Sequence, residues 1–104
     1  MDETEYHALS IIPLQQLLEF VEGLEEKYSI EGELEEGVLS VIMPDDREFV
    51  INKHTPSRQI WVSSPYSGAA YFEYDGAKWA PKRALAAGGR DVVTFIKDEI
   101  MSKL

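Results

Sequence analysis

The chain has no cysteine, and that absence removes several chemistries at once. Disulfides, thiolate metal sites and cysteine nucleophiles are excluded. A metal held by this protein must take oxygen or nitrogen ligands. Long apolar runs are missing too: none approaches the roughly 18 residues of a membrane helix. Basic residues are scarce, ten against 19 acidic ones, for a net charge of −9. The deficit is lopsided. Residues 1–48 carry 14 acids and only Lys27 and Arg47, a balance of −12, whereas residues 49–104 carry five acids and eight bases. Such an acidic half repels nucleic acid and attracts cations or a basic protein surface.

No catalytic motif is present either. The chain lacks a nucleophile elbow, a phosphate-cradling glycine loop, an EF-hand loop and the Glu-x-x-His pattern of di-iron bundles. Classical hydrolase, kinase and dehydrogenase chemistry therefore has no support. The start, Met1-Asp2-Glu3-Thr4-Glu5, is acidic where a transit peptide is Arg-rich.

What is present is a globular composition, 44% hydrophobic and 28% charged, at a length that suits one domain over residues 1–104. Tyr6, Leu9, Pro13, Leu17, Phe20 and Leu24 recur every three or four residues and predict a first helix ending near Lys27. Thr4 is the candidate cap, and Pro13 is an internal proline that removes one helical hydrogen bond. Glu19, Glu22 and Glu26 fall on another, solvated face. Strand signals follow: Tyr28–Glu35 alternates, with Glu31, Glu33 and Glu35 on one side, and Glu36-Gly37 makes a turn. Val38–Met43, Phe49–Ile51, Gln59–Ser63, Tyr71–Tyr74 and Lys78–Ala80 read as further strands, separated by Pro44-Asp45-Asp46, Thr55-Pro56-Ser57, Pro65–Gly68 and Asp75-Gly76. Ala84–Gly89 is small and irregular. Asp91 then caps a final helix with Val92, Phe95, Ile96, Ile100 and Leu104 on its apolar face. Helix, five to six hairpin-linked strands, helix: the order predicts an α+β, two-layer sandwich in which two terminal helices cover one face of an antiparallel sheet and the other face meets water.

Two features carry functional interest. The first is the carboxylate field spread over the first helix and the next strand. It reads either as a solvated face or as a weak site for hard cations. His7, among these acids, and His54, in a turn, are exposed polar residues or occasional ligands. The second is Trp61. With Ile60 and Val62 facing the core, alternation leaves Gln59, Trp61 and Ser63 on the open face, where the indole is either an interaction hot spot or covered by its neighbours. A decoy that mimics nucleic acid is a third reading of the charge, and it has no use for Trp61.

The run Ile51-Asn52-Lys53-His54-Thr55-Pro56-Ser57-Arg58-Gln59-Ile60-Trp61-Val62-Ser63-Ser64-Pro65-Tyr66-Ser67-Gly68 closely resembles the central signature of the frataxin family. Asp2–Tyr6 resembles the start of the frataxin domain, and Gly76-Ala77-Lys78-Trp79 its later tryptophan hairpin. The resemblance covers essentially the whole chain. It implies the same helix–sheet–helix fold, and weak Fe²⁺ and Fe³⁺ binding on an acidic ridge comprising Glu3, Glu19, Glu22, Glu25, Glu26, Glu31, Glu33 and Glu35, with Asp45 and Asp46 in a nearby turn. It further implies association with a cysteine desulfurase and its iron–sulfur scaffold protein through Asn52, Gln59 and Trp61, with Lys53 at the patch edge. Ile60 matches a core position. A ferroxidase or iron-storage activity is the alternative attributed to the family. The same resemblance leads us to expect a monomer without iron and an iron-driven oligomer. It places the protein in the mitochondrial matrix for a eukaryotic source, with a leader outside this chain, or in the cytoplasm for a bacterial one. Three positions depart from many relatives: His54 where they have Gln, Tyr71 where some have a basic residue, and Ala69 where some have Pro.

Overall fold

The computed structural model describes residues 1–83 and 85–104, with Arg83 and Leu85 described through their backbone alone. Helix α1 (Glu3–Glu22) is followed by strands β1 (Glu31–Glu35), β2 (Val38–Ile42), β3 (Glu48–His54), β4 (Gln59–Ser64), β5 (Gly68–Tyr74) and β6 (Trp79–Arg83), and then by helix α2 (Val92–Ser102). The strands pair in sequence order, each antiparallel to the next. Both helices lie against one face of this sheet, so the α+β sandwich expected from the sequence is the observed fold, with six strands among the described residues. No described helix is long and apolar enough to cross a membrane.

Helix α1 departs from expectation at both ends. Its cap is Asp2 rather than Thr4: the Asp2 carboxylate accepts from the Glu5 amide at 2.7 Å, which fills one of the donors left open by the first turn. The helix stops at Glu22, not near Lys27. Gly23, with its low helix propensity, is the C-cap, and the amides of Lys27 and Tyr28 both turn back to the Leu24 carbonyl. This turn lets Ile30, 2% exposed, enter the core. The buried stripe is also rotated from the expected one. Tyr6, Ser10, Pro13, Leu14, Leu17 and Val21 are buried, whereas Leu9, Phe20 and Leu24 pack only at its border.

Pro13 has a specific partner. Its missing N–H leaves the Leu9 carbonyl without a helical donor, and the buried Trp79 indole supplies one, Nε1 donating to the Leu9 oxygen at 3.2 Å. Close approach also matters at β1. A Cβ at Gly32 would meet Val21 Cγ1 at 3.0 Å, so glycine lets the end of α1 lie directly on the edge strand. The β1–β2 hairpin turns through Glu36 and Gly37, both at positive φ (51° and 77°), the two-residue geometry that suits the sheet's twist.

Sheet residues facing the helices form the core: Leu39, Val41, Phe49, Ile51, Ile60, Val62, Ala70, Phe72 and Trp79 meet Val92, Phe95, Ile96 and Ile100 of α2. Asp91 caps α2 as expected, its carboxylate accepting from the Thr94 amide at 2.9 Å. The stretch read as irregular before α2 contains a short 3-10 turn at Leu85–Ala87, and Ala84 lies outside the described residues.

Candidate functional site

The sheet face away from the helices is bare, and strand alternation decides what it shows. On β1, Gly32 and Leu34 face α1, so Glu31, Glu33 and Glu35 point outward and are exposed. The cross-strand register carries this face across the molecule. One row runs Glu35, Val38, Asn52, Trp61, Tyr71; a neighbouring row runs Glu33, Ser40, Val50, Ser63, Ala69. A third joins His54, Gln59 and Glu73. Acidic strand and tryptophan therefore share one surface, separated by two strands.

The ridge expected from the sequence assembles only in part. Glu19 and Glu22 close α1, and Glu25 and Glu26 follow in the turn, all exposed. Glu25 Oε1 lies 3.4 Å from the Gly32 amide, which ties that turn to β1. Shallow depressions beside it are lined by Glu25, Glu31, Glu33 and Glu48, and by Glu25, Glu31 and Asp46. Glu48 was not anticipated. The signal was available, since burial of Phe49 turns Glu48 to the open face, and Ile42 pairs it across to Glu31. Glu3 stands apart. It lies at the other end of α1, about 28 Å away at the helical rise of about 1.5 Å per residue, and its carboxylate pairs with His7 Nε2 at 3.5 Å. Asp45 is occupied by Arg47 (3.6 Å) and by the Tyr66 hydroxyl (3.2 Å).

The chemistry of this field is that of hard, hydrated carboxylates. Among the described residues no group of three or more His, Asp or Glu side chains converges on a point. Carboxylate oxygens of this kind suit hard cations, iron included.

The tryptophan patch is built more tightly. Trp61 Nε1 donates to Gln59 Oε1 at 2.7 Å, and Gln59 Nε2 donates in turn to Glu73 Oε1 at 2.8 Å. The His54 imidazole, at the end of β3 rather than in a turn, lies flat on the indole, and Tyr71 leans against it at 5.1 Å and 41°. Asn52, directly across from Trp61, has a buried Oδ1 that finds no partner among the described residues. From beneath, the Tyr6 hydroxyl donates to the Gln59 carbonyl at 2.7 Å, and burial raises that phenol's pKa above its ordinary value. Lys53 is not part of this face. Pairing with the buried Ile60 puts it on the helix side, its ammonium 5.9 Å from the Tyr6 ring centre.

Fold and face together define a class: a two-helix, six-stranded sandwich whose bare sheet face joins a carboxylate edge to a fixed indole. The chain belongs to the frataxin family, residues 1–103 matching the frataxin-like domain. It is 37% identical over 78 residues to the mitochondrial frataxin of Arabidopsis thaliana, and 45% identical over 60 residues to that of Dictyostelium discoideum. Those matches cover 72% and 56% of this chain but only 42% and 30% of the relatives, so the chain spans less than half of either. Among solved structures, trimeric yeast frataxin complexed with ferrous iron superposes with a TM-score of 0.75 at 28% identity, over 98% of this chain and 85% of that one. Frataxin from Psychromonas ingrahamii gives 0.75 at 20% identity, over 99% and 91%, a likeness of fold alone.

Proposed function

We propose that this protein is an iron-binding regulator or iron donor that docks on a cysteine desulfurase–scaffold complex and modulates iron–sulfur cluster assembly. The observation that carries this reading is the shared face. Carboxylates at the β1 edge and the end of α1 attract Fe²⁺ and steer a basic partner surface, while Trp61, Gln59 and Asn52 two strands away offer a rigid anchor. The ridge on this reading is Glu19, Glu22, Glu25, Glu26, Glu31, Glu33 and Glu35, with Glu48 added. Glu3 is a separate, weaker cation site, and Lys53 meets a partner only at the sheet margin. Membership of the frataxin family and the ferrous complex of the yeast relative support the iron assignment.

A ferroxidase is the second reading. It needs carboxylates gathered around reacting iron, and the scattered donor set favours docking over turnover. Self-association belongs to this reading too, since the yeast relatives are trimeric. The setting that fits the relatives' names is the mitochondrion for a eukaryotic source. The test is a pair of titrations. Anaerobic Fe²⁺ followed by backbone amide NMR should shift signals around residues 19–36 and Glu48. Binding to a purified desulfurase–scaffold complex should weaken with added salt, because exposed charges are screened beyond about 8–10 Å. Scattered iron shifts, or docking indifferent to both salt and Trp61, would defeat the reading.

A further inference from the structure

His54 does more than border the patch. Its ring centre lies 3.6 Å from that of Trp61, with the planes 7° apart, so the imidazole covers one indole face. Nδ1 is 2.6 Å from the Ser57 hydroxyl in the 3-10 turn Thr55–Ser57, which holds the ring from behind. Gln59 fixes the indole N–H, and Tyr71 flanks the ring. Three side chains thus set one rotamer of Trp61.

Among the described side chains of the open face, Glu73 is reached through Gln59, Tyr71 lies beside the indole, and Glu35 ends the row beyond Asn52, with Glu31, Glu33 and Glu48 farther toward the β1 edge; on the other side β6 brings Arg83 into register with Tyr71, next to the exposed Lys82. Lys53 and Arg58 both lie over the Tyr6 ring on the helix side, and Arg58 also donates to the Thr55 carbonyl. Histidine is the side chain whose charge changes between about pH 5 and pH 8.

Resting on the docking reading above, we propose that His54 is a positioning residue for Trp61 and that its protonation closes the docking face. An imidazolium on an indole is a cation–π pair, stronger than the neutral stack, and it keeps the covered indole face from an incoming group. The neutral ring yields more easily. Asn52, whose buried Oδ1 has no partner among the described residues, sits directly across from Trp61 and offers an acceptor to a group that reaches the opened face. The added positive charge also opposes a basic partner, so both effects have the same sign. Docking and protonation of His54 are therefore antagonistic.

The test has two arms. In the free chain, the indole N–H signal of Trp61 should titrate between about pH 5 and pH 8. His54→Gln should abolish that titration and His7→Gln should leave it intact, with thermal unfolding confirming that both variants fold. A Trp61 titration that survives H54Q overturns the proposal. In the second arm, affinity for a purified desulfurase–scaffold complex should fall about two- to five-fold more between about pH 8 and pH 6 for the natural chain than for H54Q. His54→Phe, which keeps an aromatic plane without a proton, should dock equally at both pH values apart from the drift shared with H54Q. Identical pH profiles for all three chains sink the idea. Absence of docking at any pH would instead defeat the docking reading, and the first arm would still decide whether His54 positions Trp61.

Discussion

Trp61 and Trp79 lie on opposite faces of the same sheet, and each indole N–H has one acceptor. For Trp79 the acceptor is the Leu9 carbonyl, a backbone group that Pro13 has left open, and the ring is buried between Tyr6 and Tyr74. For Trp61 it is the Gln59 side chain, and the ring stands half-buried in a ring of polar and aromatic neighbours. The first indole completes the fold's own hydrogen bonding. The second is held by groups that themselves reach toward solvent, and next to it Asn52 Oδ1 has no partner among the described residues. Identical chemistry thus serves structure on one side and, on the docking reading proposed above, recognition on the other.

The contrast can be broken by substitution. Trp79→Ala should produce the largest effect, about 3–5 kcal/mol of lost stability in urea denaturation, because it opens a cavity and orphans Leu9. Trp61→Ala should reverse the pattern. Docking on the desulfurase–scaffold complex should weaken by about 2 kcal/mol or more, roughly 30-fold, while stability moves by less than about 1 kcal/mol. Equal effects of both substitutions on stability would remove the distinction.

Smaller perturbations sharpen it. The triple change Glu31→Gln, Glu33→Gln, Glu35→Gln should weaken Fe²⁺ binding several-fold and flatten the salt dependence of docking, read by NMR titration and binding assays. Glu3→Gln should alter neither at the ridge. Tyr6→Phe removes the bond to the Gln59 carbonyl and should cost about 1 kcal/mol at neutral pH. The Tyr6 phenol is raised above 10.0 by burial, so its contribution is full below pH 10 and drains as pH climbs through the folded value; Y6F should have the flatter alkaline limb. Asp75→Asn should be the mildest. The amides of Lys78 and Ala77 hold that carboxyl below 3.8, so its contribution is present above that pH and fades as acid takes pH down through the folded value. The acid limb of D75N should be shallower.

Much of this arrangement is legible in the sequence, and the misses share a cause. Period-two alternation in Gln59–Ser63 and Glu31–Glu35 places Trp61 and the three glutamates correctly, because each strand's inward residues are strongly apolar or, at Gly32, forced small. Alternation also places Lys53 on the helix side, away from the face of Asn52, Gln59 and Trp61 with which the resemblance had grouped it as an edge residue. The rotated stripe of α1 buries Ser10 and Pro13, and the carbonyl that Pro13 leaves open is filled by Trp79 from far along the chain. Nothing local says that Leu9 will receive a bond from Trp79. Glu3 entered the expected ridge through the family resemblance, and the length of α1 is what separates it from Glu19 and Glu22.

The Leu9–Trp79 bond also sets a timetable. A ribosome releases the acidic first half well before residue 79 leaves the tunnel. Until then α1 has an unfilled acceptor at mid-helix and an apolar stripe with only part of a sheet to cover. The helix therefore gains its mid-helix donor only once the strand that carries Trp79 has been made.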